Sequence, residues 1–124
     1  MTFNQVENRI DELMTAAGGY ANANIPATID AYVDETSSYS VSVTNQWNPT
    51  FNNVKNEVAT RPCLLGFAAG SPYSATVGHM TVCVGTRSVL FSKYVKVIDG
   101  WETEVVEKAW GDYNDFMSKV VISS

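Results

Sequence analysis

Gly78-His79-Met80-Thr81-Val82-Cys83-Val84-Gly85 and Lys93-Tyr94-Val95-Lys96-Val97-Ile98-Asp99 are the stretches on which the fold turns. Both alternate and are rich in β-branched and aromatic residues, the pattern of half-buried strands. Joined by the segment from Thr86 to Ser92, they read as a β-hairpin with a long loop. With Gly85 opposite Lys93, simple antiparallel register puts His79 directly opposite Asp99. Directly opposite residues share a sheet face with Cβ atoms about 4.5 to 5.5 Å apart, close enough for a carboxylate to accept an imidazole N–H and fix its tautomer. A slip of one residue would send the two side chains to opposite faces.

Upstream of the hairpin, the apolar run from Pro62 to Ala68 is bounded by breakers and reads as a central strand, and Ala69 to Val77 is a Gly/Ser/Pro loop. Asn48-Pro49-Thr50 forms a turn with a choice of N-caps, and Phe51, Val54 and Val58 continue it at helical spacing up to Thr60. Tyr39 to Thr44 alternates as a strand. The N-terminal segment spaces Phe3, Val6, Ile10, Leu13 and Met14 as a helix over residues 3–17, with Thr2 and Gln5 as a capping box and Gly18-Gly19 as the stop. A second, short helix starts at Pro26 and ends near Asp34. Downstream, Trp110 to Met117 is expected to hold a helical turn, and Lys119 to Ser123 a closing strand. Helices first and strands later predict an α+β fold, a single domain over residues 1–124 in which N-terminal helices precede a small antiparallel sheet.

Composition narrows the function. The 124 residues are 45% hydrophobic, enough for one core, and the net charge of −5 argues against nucleic acid and anionic membrane as partners. No apolar run approaches the ~20 residues of a membrane span, and no basic segment followed by an apolar one marks an export signal. Glu102, Glu104, Glu107, Asp112 and Asp115 lack the alternation of a calcium loop and read as a solvated acidic face, so no metal is expected. No glycine-rich phosphate loop is present, and no cofactor is expected.

Three features together carry a resemblance: Gly78-His79 ahead of the strand Met80 to Val84, a second strand ending Val97-Ile98-Asp99-Gly100-Trp101, and Arg61-Pro62-Cys63-Leu64-Leu65-Gly66 before the histidine loop. Over roughly residues 54–101 the chain resembles the papain-like cysteine peptidases, and most of all the bacterial group related to bacteriocin-leader peptidases. The resemblance implies a papain-like fold, a peptide or protein as partner and an extracellular setting. It also implies His79 as general base, Asp99 as the residue that orients it and Trp101 as the shield of the pair from water.

The pattern breaks at the nucleophile. The first predicted helix contains no cysteine, and Gln5, followed by Val6-Glu7-Asn8-Arg9-Ile10, reads as the capping partner rather than an oxyanion ligand. Cys83 lies four residues along the strand from His79, roughly 13 Å away, and Cys63, opposite residues 83 and 84, is equally distant. A nucleophile and its base must lie within about 3.2 Å. The two cysteines read as small buried core residues, with a cross-strand disulfide as the alternative. Ser71, Ser74 and Ser88 are turn and loop residues without an oxyanion signature. The expected function is therefore a cysteine-peptidase-like domain with a His-Asp pair and no nucleophile in this chain, either the C-terminal part of a larger peptidase or an inactive relative. The alternative is a non-enzymatic peptide- or protein-binding α+β module. A domain lacking the nucleophile helix would leave apolar surface uncovered, so self-association into a homo-oligomer is expected.

Overall fold

The structure, a computed structural model, describes residues 2–19 and 24–123. They form three helices, α1 (Phe3–Ala16), α2 (Ile25–Thr36) and α3 (Phe51–Val58), and six strands, β1 (Ser40–Trp47), β2 (Cys63–Phe67), β3 (His79–Val89), β4 (Ser92–Ile98), β5 (Val106–Ala109) and β6 (Phe116–Ser123). The strands join one antiparallel sheet in the order β1-β6-β2-β3-β4-β5, so the α+β class read from the sequence is the class observed. The chain divides into two compact units, residues 1–44 with 120–124 and residues 45–119, the boundary falling inside β1 and β6.

In the first unit, α1 begins at the capping box. The Gln5 N–H donates to Thr2 Oγ1 at 3.2 Å and the Thr2 N–H donates to Gln5 Oε1 at 2.7 Å. Its end is a Schellman motif: Gly19 N–H reaches Met14 O at 2.8 Å and Gly18 N–H reaches Thr15 O at 3.1 Å. Gly18 and Gly19 have φ of 119° and 111°, a conformation that side chains with a Cβ resist. The side chain of Phe3, counted above among the apolar positions, lies outside the described residues. Leu13 and Met14 are buried, and the Thr28 hydroxyl of α2 lies 2.9 Å from both Met14 Sδ and Asn24 O, which share its one proton. Arg9 ties α1 to α2 through a two-pronged pair with Glu35 at 2.7 Å.

In the second unit, α3 starts from a capping box formed by Thr50 and Asn53 and lies against β2 and β3. Residues 63, 65 and 67 of β2, 81 and 83 of β3, and 95 and 97 of β4 point to one face and are fully or nearly fully buried. Phe51 and Val54 cover that face from α3, and Tyr73 and Met117 complete the core.

Three expectations are corrected and one strand is added. The hairpin has no long loop: β3 and β4 stay paired to Val89↔Ser92, leaving the two-residue turn Leu90-Phe91. Thr86, Arg87 and Ser88 are partly or fully exposed in this distal part, so it carries no apolar alternation to mark it as strand. The register is therefore different. A bulge at Val84 shifts the pairing from Gly85↔Lys96 to Cys83↔Val97 and Val82↔Ile98. One step past the last pair, this register brings Asp99 opposite Thr81. Relative to the expected pairing the slip is two residues, so His79 and Asp99 keep a common face. The added strand, β5, occupies Val106–Ala109, a polar four-residue strand with too little apolar patterning to announce itself. Finally, Trp110 to Met117 holds no helix; a turn closed by Asn114 N–H to Gly111 O at 3.0 Å leads directly into β6 at Phe116, ahead of the expected start at Lys119.

Candidate functional site

The candidate site lies where the core face of β2, β3 and β4 runs out. Phe67 ends β2 and pairs with His79, which opens β3, while Asp99 follows the last residue of β4. The loop between β2 and β3 folds Tyr73 into this corner. Its turn is held by Gly70 N–H to Ser74 O at 2.8 Å and by Tyr73 N–H to Ser71 Oγ at 3.1 Å. The Tyr73 ring meets Phe67 edge-on at 4.9 Å, His79 at 4.5 Å and Trp101 at 4.9 Å, and the His79 and Trp101 rings are 4.8 Å apart. The imidazole is thus packed against two aromatic rings. Trp101 is itself 62% exposed.

His79 and Asp99 do meet, through a different atom from the one expected. His79 Nε2 lies 2.7 Å from the main-chain oxygen of Asp99. A carbonyl only accepts, so Nε2 carries a proton, and in the neutral form of the ring the lone pair is at Nδ1. The expected carboxylate-to-imidazole bond is corrected, because the Asp99 side chain turns elsewhere. Oδ2 accepts from the Tyr73 hydroxyl at 2.7 Å, and Oδ1 accepts from the N–H groups of Trp101 at 2.9 Å and Glu102 at 3.0 Å. Gly100, with φ of 80°, lets the chain fold back so that both N–H groups reach one oxygen.

This carboxylate is 4% exposed and fully supplied with donors. The Tyr73 hydroxyl, then the Glu102 and Trp101 N–H groups and the charge of Lys108, favour its ionised form and hold its pKa down to about 2 against the opposing effect of burial. Burial pushes the Tyr73 phenol above its ordinary value, and the adjacent carboxylate adds to the shift. Lys108 of β5 places its ammonium 4.9 Å from the centre of the Tyr73 ring, a cation–π contact on the same side chain that serves Asp99.

The cysteines stand apart from this corner. Cys63 and Cys83 are direct register partners, free and buried in the core. Cys83 sits four residues along β3 from His79, about 13 Å at the strand rise. Cys63 is pushed far above an ordinary thiol pKa by the hydrogen bond it shares with Cys83 and by burial, which keeps it protonated. An open cavity of about 320 Å³ is lined by Asn48, Pro49, Trp110, Gly111, Asp112 and Asn114, without His79.

Tyr73 and Lys108 escaped the sequence reading. The signal for Tyr73 was a large aromatic between Pro72 and Ser74 in an otherwise small and polar loop; Lys108 had none, because its strand was not foreseen. No family model matches the chain, and no curated protein matches it.

Proposed function

We propose that this chain is a papain-like, cysteine-peptidase-related domain that keeps the imidazole half of the site and binds peptide there without a thiol of its own. The observation that carries this reading is the His79 Nε2–H bond to Asp99 O beside the Trp101 ring, which pins one imidazole nitrogen and leaves the other as a base. That arrangement is what a cysteine peptidase asks of its histidine. Supplied with a thiol by another segment or chain, Nδ1 would accept the Sγ proton. The thiolate would then attack the peptide carbonyl, and the imidazolium would return the proton to the leaving amine. Without that thiol, the exposed face of Trp101 and the aromatic corner behind it are a peptide platform.

A second reading, a module that binds peptide by strand addition, rests on β5 being the last strand in the sheet order. One titration separates the two. Short unlabelled peptides added to ¹⁵N-labelled protein are expected to shift the His79, Gly100 and Trp101 amides, with loss of binding in Trp101→Ala. Shifts confined to Val106–Ala109 would favour strand addition, and no shift at either place would remove both. An electrophilic peptidyl probe is expected to leave Cys63 and Cys83 unlabelled; labelling that depends on His79 would mean that the chain has a nucleophile after all.

A further inference from the structure

The tip of the β3–β4 hairpin breaks two rules at once. A two-residue hairpin turn requires left-handed backbone that Asn and Gly adopt at little cost, yet Leu90 occupies it with φ of 52°. Leu90 is 94% exposed and Phe91 is fully exposed, the most solvent-accessible large apolar side chains among the described residues. A turn that keeps strain and two bare apolar side chains where Asn-Gly would be more stable points to a contact made by those side chains.

The hairpin is also the basic part of an acidic chain. Between His79 and Ile98 stand Arg87, Lys93 and Lys96 with no Asp or Glu among them. Arg87 is held by Glu107 at 2.6 Å, while Lys93 and Lys96 form no salt bridge among the described residues, and the Lys93 ammonium lies 5.4 Å from the centre of the Phe51 ring. Residues 1–44 carry the opposite charge: Arg9 is their only cation against Glu7, Asp11, Glu12, Asp30, Asp34 and Glu35, which equals the whole net charge of −5. On that acidic unit lies a groove of about 150 Å³ lined by Ile10, Thr28, Ile29, Tyr32 and Val33 and presenting only apolar surface. A cavity of about this volume accommodates a benzene ring. Asp11, Asp30 and Asp34, all exposed, are the chain neighbours of Ile10, Ile29 and Val33.

We propose that the hairpin tip of one copy docks in the α1–α2 groove of a second copy. Phe91 fills the groove with Leu90 beside it, and the positive charge of the hairpin meets the acidic rim. Knob and groove match in size and polarity, and their surroundings match in charge, which commits the occupant to this chain itself. Each copy carries one tip and one groove, so the contact joins copies of the same chain.

Sedimentation equilibrium on the full chain tests this with two variants. Leu90→Asn/Phe91→Gly installs a favoured hairpin turn while removing the knob, so loss of folding is not the expected fault. Ile29→Glu spoils the groove of the other unit, and circular dichroism verifies that it remains folded. Wild type is expected to dimerise in a concentration-dependent manner that weakens with salt, and each variant to raise the dissociation constant about tenfold or more. An equimolar mixture of the two variants is expected to associate more strongly than either alone, because one intact tip meets one intact groove. A wild-type monomer up to about 1 mM, or a dimer indifferent to either variant, overturns the proposal. A monomer whose tip drives binding to phosphatidylserine vesicles would overturn it in favour of a lipid surface.

Discussion

The Tyr73 hydroxyl donates to the Asp99 carboxylate at 2.7 Å, and it is to this phenol, not to His79, that the acid is directed. Tyrosine and carboxylate close the loop between β2 and β3 over the end of the core, while the Asp99 main chain holds the imidazole. One residue thereby serves two neighbours through different atoms.

A pH dependence follows from the depressed pKa of Asp99. Its folded value of about 2 lies below the ordinary carboxylate value, so the unfolded chain takes up the proton first on acidification. Its contribution to stability is complete above the ordinary value and fades as pH falls from about 5 towards 2. Urea unfolding at several pH values should show a steeper acid loss in wild type than in Asp99→Asn. Tyr73→Phe, which removes the largest cause of the depression, should raise the Asp99 pKa read by ¹³C NMR.

The imidazole tautomer provides a separate check. Because the acceptor is the Asp99 carbonyl, neutral His79 should be protonated at Nε2, and Asp99→Asn should leave that tautomer in place. Long-range ¹H–¹⁵N correlation spectra read this directly. A switch of tautomer in Asp99→Asn would show that the carboxylate orients the ring.

Cys63 and Cys83 should resist a thiol reagent in the native protein and both react once it is unfolded, because they face each other inside the core. Reagent consumption against denaturant concentration should follow the unfolding transition. A fast-reacting thiol in native buffer would contradict their burial.

Two substitutions probe the scaffold under the site. Leu65→Ala, in the middle of β2 with no exposed surface, should cost about 2–5 kcal/mol. Thr50→Ala removes the hydroxyl that accepts the Asn53 N–H at 3.1 Å and should cost about 1 kcal/mol, with Thr50→Ser close to neutral. Val105→Ala, at an exposed position, serves as the control and should stay within about 0.5 kcal/mol. Urea denaturation measures all three.

Much of the fold was readable because its signals are local. The Thr2 cap, the Gly18-Gly19 stop and the apolar run of β2 act within a few residues of themselves, and the structure has each of them where the sequence put it, while at α3 Thr50 is the cap among those the sequence offered. Pairing of Cys63 with Cys83 was also close to hand, since antiparallel neighbours need only an approximate register. Strand β5, the distal half of the hairpin and the bulge at Val84 were hidden. Polar edge strands have no apolar period, and a bulge depends on what both partner strands must bury. Sequence alone determined the α+β class and brought His79 and Asp99 to one face, for the two-residue slip preserved their parity. Only the tertiary structure decided which atom of Asp99 meets the imidazole. That choice depends on Tyr73, whose hydroxyl arrives from a loop 26 residues away and, with the two N–H groups beyond Gly100, claims the carboxylate and leaves the carbonyl to His79.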